Sequence, residues 1–137
     1  STKEFLEMNE LNSERLTLIQ SNLAELRAWE FENLPFFGTV TGSYLYHKIA
    51  ERSLAQREPI NRSLKDLHYS SSVSERAIRL KLREFERDGL IESKSSEEDG
   101  RVRYLIPTEK FYEMVYQHSC EFDRIFSKNM VLIEKNA

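Results

Sequence analysis

The chain has 137 residues, of which 39% are hydrophobic and 31% charged, with four glycines, three prolines and one cysteine. This length suits about one domain, and the composition excludes disordered and collagen-like proteins, disulfide frameworks and zinc sites built from clustered cysteines. No apolar stretch approaches the roughly 20 residues of a membrane span, and the acidic start is unlike a signal or transit peptide. We therefore predict a cytoplasmic protein with no membrane association.

The first predicted helix runs from residue 12 or 13 to Phe31. Its apolar residues recur every three or four positions and form one stripe, made of Leu16, Ile19, Leu23 and Leu26. Residues 1–37 carry three positive and seven negative charges, a net −4 in a chain whose total is −3. The sequence Asn33-Leu34-Pro35 ends the helix, because the residue before a proline is biased away from helical geometry.

Two further helices are predicted before residue 70. The first covers Val40–Leu54, with the following residues on one side: Tyr44, Leu45, Ile49 and Leu54. The second is short and places Ile60, Leu64 and Leu67 at positions i, i+4 and i+7. A serine cluster at 70–72 predicts a tight turn.

The next helix lies in the sequence SVSERAIRLKLREFERDGLI, residues 72–91. Ser72 and Glu75 have the spacing of a capping box, and the Asp88-Gly89 pair is typical of a helix end. The helix should have three faces. A core stripe contains Ile78, Leu82 and Phe85; a second apolar stripe, expected to pack on the short helix, contains Val73, Ala77 and Leu80; and an arginine face contains Arg76, Arg79, Arg83 and Arg87.

A β-hairpin should follow, with strands over Leu90–Ser95 and Val102–Ile106 joined by an Asp-Gly turn at 99–100. In the second strand, Val102, Tyr104 and Ile106 are predicted to share one face, with Arg103 on the other. Pro107 ends that strand. Thr108 then caps a last helix with a broad apolar face, consisting of Phe111, Met114, Val115, His118, Phe122, Ile125 and Phe126.

The arginine face has two interpretations. A charged helix face is commonly just solvated, and Glu84, Glu86 and Asp88 are spaced to pair with the arginines. Alternatively, a helix held by apolar contacts on two sides suits the DNA major groove, where arginine donates two hydrogen bonds to guanine. The context favours DNA, because short helix, turn, helix and hairpin is the winged helix-turn-helix order. Residues 60–83 also carry six positive and two negative charges.

The segments SERAIRLKLREFERDGLI (74–91) and EDGRVRYLIPTEK (98–110) resemble the recognition helix and wing of the MarR family of bacterial transcription regulators. The resemblance spans about residues 60–110. It implies that Arg76, Arg79 and Arg83 face the major groove, and that Arg101, oriented by Asp99, reaches the minor groove from the wing.

The same resemblance supplies further candidate contacts with DNA phosphates. Ser72 and Ser74 would donate at the helix N-terminus, although Ser72 is equally expected to act only as a cap. Charged wing residues are commonly just solvated, but here they are candidates too. The set is Arg62, Ser72, Ser74, Lys94 and Arg103.

We therefore predict a mainly α fold with a small hairpin wing, in three segments. Residues 38–107 form a winged helix-turn-helix core that binds double-stranded DNA, with the recognition helix over 72–88 and the wing over 90–106. The resemblance implies that residues 1–37 and 108–137 form the interface of a homodimer.

Two other classes of function, a protein-binding adaptor and an enzyme, compete with this one. The acidic wing tip, 97–99, favours a winged-helix adaptor that binds proteins and no specific DNA. No nucleophile, base and phosphate-loop arrangement suggests an enzyme, so we predict no catalytic residue and no cofactor. We also predict no metal site, because His47, His68 and His118 are scattered.

The analogy with effector-responsive relatives suggests a pocket for a small aromatic effector between the N-terminal helices. Aromatic residues at helical spacing are, however, more often part of the core. The candidate residues of the pocket are Trp29, Phe31, Phe36, Phe37, Tyr44 and Tyr46. The same analogy would make Cys120 a redox switch, whereas a lone helical cysteine is usually inert.

Overall fold

The computed structural model describes residues 1–8, 12–56, 60–61 and 73–129. The helices of this part are α1 (Thr2–Met8), α2 (Ser13–Asn33), α3 (Val40–Gln56), α4 (Glu75–Arg87) and α5 (Glu109–Ser127), with a 3-10 turn at Pro35–Gly38. The strands are β1 (Ile60–Asn61), β2 (Ile91–Ser95) and β3 (Arg103–Pro107). The predicted fold class, mainly α with a β-hairpin after α4, is confirmed.

The chain forms two compact units. One contains residues 1–35 and the chain from Gln117 onward, and the other is Phe36–Tyr116. Helix α5 therefore begins in the second unit and continues into the first. No helix in the described ranges has the length and apolar character needed to cross a membrane.

The core of the second unit is built on the inner face of α4. The predicted core stripe is confirmed, because Ile78, Leu82 and Phe85 are all fully buried. The ring of Phe85 lies 5.2 Å from that of Phe36, measured between centroids. Leu45 and Ile49 of α3 are fully buried as predicted, whereas Leu54 is 57% exposed, so its predicted place on the buried side is wrong.

A three-stranded antiparallel sheet completes this unit, with strand order β1-β3-β2. Ile60, predicted to belong to the apolar stripe of the short helix, instead lies in β1 opposite Leu105, and Asn61 follows it in the same strand. Ser93 of β2 is also opposite Leu105. The predicted short helix from residue 62 onward lies outside the described residues.

The predicted faces of β3 are confirmed for the residues in the strand, since Tyr104 and Ile106 share one face and Arg103 lies on the other. Leu105 is fully buried, while Tyr104 and Ile106 are half-buried, so the core face is the one that also carries Arg103. Four of the five residues of β3 are apolar, and such a strand has no clear alternation to indicate which face meets the core. On the core face, Leu105 is paired with Ile60 on one side and Ser93 on the other.

The turns that join α4 to the sheet and the sheet to α5 form at the residues that the sequence predicted. Gly89 has a φ of 75°, a left-handed conformation that suits glycine, and the Leu90 amide donates to the Phe85 carbonyl at 2.9 Å. The Thr108 hydroxyl donates to the Gly89 carbonyl at 2.6 Å and accepts from the Phe111 amide at 3.3 Å. The predicted end of α4 and the predicted cap of α5 are both confirmed.

In the first unit, polar side chains of α2 pair with α5 and with the residues that follow it. Asn22 and Asn129 exchange amide hydrogen bonds of 2.8 and 3.1 Å. Glu30 Oε2 lies 2.7 Å from His118 Nε2. The buried face of α2 is thus Asn22, Leu26 and Glu30, and Leu23, predicted to belong to the buried stripe, is exposed. Apolar periodicity in the sequence cannot predict this buried face, because two of its three residues are polar.

Candidate nucleic-acid interface

Helix α4 begins later than its sequence suggested. Ser74 is the N-cap residue, and its Oγ accepts a hydrogen bond of 3.1 Å from the Ala77 amide. The predicted capping box of Ser72 and Glu75 is therefore wrong, since Glu75 is the first helical residue. Ser74 is exposed and its hydroxyl hydrogen is not used in this cap, so the side chain can still donate to an anion.

Two carboxylates of α4, those of Glu84 and Glu86, are engaged by groups outside the arginine face. Glu84 Oε2 lies 2.6 Å from Lys81 Nζ, and this hydrogen bond lowers the pKa of Glu84 below its ordinary value. Glu86 Oε1 accepts a hydrogen bond of 2.8 Å from Ser93 Oγ, on β2. Two of the three acids that could have neutralised the arginines are thus engaged with other groups.

The arginines themselves are exposed, as predicted. In the described part of the chain, Arg76 and Arg83 form no ion pair. Arg79 Nη2 lies 3.9 Å from Glu75 Oε2, and Arg87 Nε lies 3.6 Å from Asp88 Oδ1. Exposed pairs of this kind contribute about 0–1 kcal/mol, so a phosphate or a guanine can readily replace them.

The bond between Glu86 and Ser93 connects α4 to the wing. Both side chains are partly buried, and Ser93 lies on the same hairpin face as the buried Leu105. No sequence pattern indicates this contact, because a serine in a short strand has many possible partners. It fixes the position of β2 against the helix that carries the arginine face.

The wing tip is held by Asp99. Its Oδ1 accepts from the Arg101 amide at 3.0 Å and from Arg101 Nε at 3.3 Å, which agrees with the role in orienting Arg101 that the resemblance implied for Asp99. The hydrogen bond from the Arg101 backbone amide, followed by the one from its guanidinium group, lowers the pKa of Asp99 below its ordinary value. Arg101 remains almost fully exposed.

We expect acid to release the wing tip. Because the folded-state pKa of Asp99 is lowered, its ionised form stabilises the tip above the ordinary aspartate pKa, and this contribution is lost as the pH falls through the lowered value. The Arg101 amide resonance, followed by NMR, should therefore shift with acidification through that range. In Asp99→Asn, whose side chain cannot ionise, the resonance should not shift over this range. A shift as large as that of the wild type would show that Asp99 does not hold the wing tip.

The two other wing candidates occupy opposite faces of the hairpin. Lys94 is paired with Tyr104, and Arg103 is paired with Ser95, so their side chains point to different sides. Both are exposed. The last two predicted contacts, Arg62 and Ser72, lie outside the described residues.

The residues of the predicted aromatic pocket fall into separate groups. Phe36, Phe37 and Tyr46 are buried together in the core of the second unit. Trp29 stacks on His118 in the first unit at 5.8 Å between ring centroids, and Phe31 is exposed. Cys120 is an exposed free thiol on α5.

A helix with an exposed cationic face, followed directly by a hairpin whose tip carries an arginine, defines a winged-helix protein. No family sequence model matches the chain, and no curated protein matches it in sequence. Solved structures do match its fold.

The crystal structure of a Staphylococcus aureus MepR–DNA complex has a TM-score of 0.63 at 17% identity, covering 89% of this chain and 93% of that one. PefR from Streptococcus agalactiae in complex with heme has a TM-score of 0.55 at 17% identity, covering 85% and 78%. A Bacillus cereus protein described as a MarR-like transcription regulator has a TM-score of 0.50 at 15% identity, covering 82% and 76%. The chain therefore has the fold of MarR-like winged-helix regulators, and the resemblance is confirmed.

Proposed function

We propose that the protein is a transcriptional regulator that binds specific double-stranded DNA, with α4 in the major groove and the wing near the minor groove. The observation that carries this proposal is a pair of exposed arginines, Arg76 and Arg83, that form no ion pair with any residue the structure describes, on a helix whose acids Glu84 and Glu86 are hydrogen-bonded to Lys81 and Ser93.

The proposal assigns three kinds of contact. Arg76, Arg79 and Arg83 donate paired hydrogen bonds to guanine O6 and N7. Arg101, held by Asp99, enters the minor groove. The remaining candidates bind backbone phosphates and set the position of the protein on the duplex, and they are Arg62, Ser72, Ser74, Lys94 and Arg103.

We further propose a cytoplasmic, non-enzymatic homodimer, with residues 1–37 and 108–137 forming the interface. Exposed apolar side chains in the first unit, including Leu23 and Phe122, support an interface there. A two-fold dimer would place its recognition helices about 34–36 Å apart, or a multiple of that, to match half-sites on one side of the duplex.

A small-molecule effector stays a prediction. It is supported by the similarity in fold to PefR, which was crystallised with heme. The burial of Phe36, Phe37 and Tyr46 assigns those three rings to packing instead of an open pocket.

The second candidate is a protein-binding adaptor. It is supported by Glu97 and Glu98, which are exposed at the wing tip and would repel DNA phosphates. The neighbouring Asp99 adds little to this repulsion, because its carboxylate is paired with Arg101.

Fluorescence anisotropy with duplex DNA over a range of salt concentrations tests the proposal. We expect binding at low salt, and a plot of log affinity against log salt should fall with a slope of about −0.9 for each phosphate neutralised. Duplexes selected from a random pool should bind more tightly than unselected ones. Absence of binding at low salt would refute the proposal, and salt-insensitive binding to a protein partner would favour the adaptor.

A further inference from the structure

Leu80 is exposed on the outer side of α4, although the sequence places it in an apolar stripe. The expected second apolar stripe contains Val73, Ala77 and Leu80, and the short helix on which it was predicted to pack lies outside the described residues. Val73 is buried, whereas Leu80 is 45% exposed. Within α4, all of whose residues are described, it is the one large hydrophobic side chain that is exposed.

The position of Leu80 on the helix separates it from the core. At about 100° per residue, it lies roughly opposite the mean direction of Ile78, Leu82 and Phe85. It is about 20° from Arg87 and about 40° from Arg76 around the helix axis. Leu80 therefore lies at the edge of the arginine face, next to its guanidinium groups.

A leucine in this place has a chemical counterpart in DNA. In the major groove the feature that thymine presents, and that no other base shares, is its C5-methyl group, which apolar side chains contact. Arginines beside the leucine can bind neighbouring guanines or phosphates and so hold the helix in the groove. The leucine side chain and a thymine methyl group would then be in contact, with no water between them. A single exposed leucine elsewhere on a surface would need no explanation.

We propose that Leu80 is a specificity-determining residue that recognises thymine through its C5-methyl group. This inference rests on the proposed function, because it requires α4 to enter the major groove. It adds recognition of an A·T pair to an arginine face whose other contacts favour guanine.

Replacing thymine with deoxyuridine tests this directly, since the substitution removes the methyl group and leaves base pairing intact. In a duplex selected for tight binding, each thymine would be replaced in turn and the dissociation constant measured. We expect at least one position at which the methyl loss weakens the wild-type protein about fourfold, the effect of removing one buried methyl group. Leu80→Ala should bind the thymine and deoxyuridine duplexes equally at that position.

Leu54→Ala is the matched control, because Leu54 is also exposed but lies on α3. It should retain the full methyl effect. Thermal unfolding of both variants should resemble that of the wild type, since neither leucine is buried. If wild type and Leu80→Ala lose the same affinity at every deoxyuridine, or if no position has an effect, this inference fails while the proposed function stands. Failure of the wild type to bind any duplex would overturn both.

Discussion

Replacing Phe85 with alanine is expected to lower the free energy of unfolding by about 3–5 kcal/mol, the usual cost of removing a buried phenylalanine. The side chain is 1% exposed and packs on Phe36, and its backbone carbonyl accepts the Leu90 amide where α4 turns into the sheet. The cavity would therefore lie where the helix and the hairpin are joined. Urea denaturation followed by far-UV circular dichroism would measure the loss.

Phe31→Ala provides the control for this prediction. Phe31 is also at the end of a helix but is 58% exposed, so its removal should change the free energy of unfolding by less than about 0.5 kcal/mol. A Phe85→Ala loss of similar size to the Phe31→Ala change would mean that Phe85 does not anchor α4.

The second large effect is expected on DNA recognition. Arg76→Ala and Arg83→Ala should each lower the affinity for a selected duplex by about 1–3 kcal/mol, because each removes a paired hydrogen-bond contact with a base. The loss for an unselected duplex should be smaller, since only the electrostatic attraction to phosphates is reduced. Anisotropy titrations with both duplexes at one salt concentration would separate the two effects.

Two control variants make this prediction specific. Arg87→Ala removes an arginine that is near the end of α4 and pairs with Asp88, so it should leave discrimination between duplexes almost unchanged. Arg83→Lys keeps the positive charge but loses the planar fork that binds guanine. It should therefore keep affinity for unselected DNA and lose discrimination. Equal loss on both duplexes in Arg83→Ala would indicate that Arg83 contacts phosphate alone.

Sequence patterns were sufficient where one physical signal dominated. The core stripe of α4 follows from helical periodicity and the end of the helix follows from Gly89, while the family resemblance implied the pairing of Asp99 with Arg101. These features depend on neighbours within a few residues. They therefore required no knowledge of the tertiary structure.

The errors arise where distant partners decide the outcome. Ile60 is in a strand because Leu105, far along the chain, pairs with it. Leu23 is exposed because the buried face of α2 instead carries Asn22 and Glu30, whose partners Asn129 and His118 are far along the chain. The N-cap is Ser74 although Ser72 fits the same rule, since several serines compete for that place.

The hydrogen bond between Glu86 and Ser93 has a consequence for the entropy of DNA binding. A wing that moved independently of α4 would have to be ordered as the complex forms, and that ordering would reduce the affinity. Because β2 is already tied to α4 in the free protein, the two elements that we propose to contact DNA are preorganised relative to each other. In the proposed complex, Glu86 therefore assists binding without touching the nucleic acid.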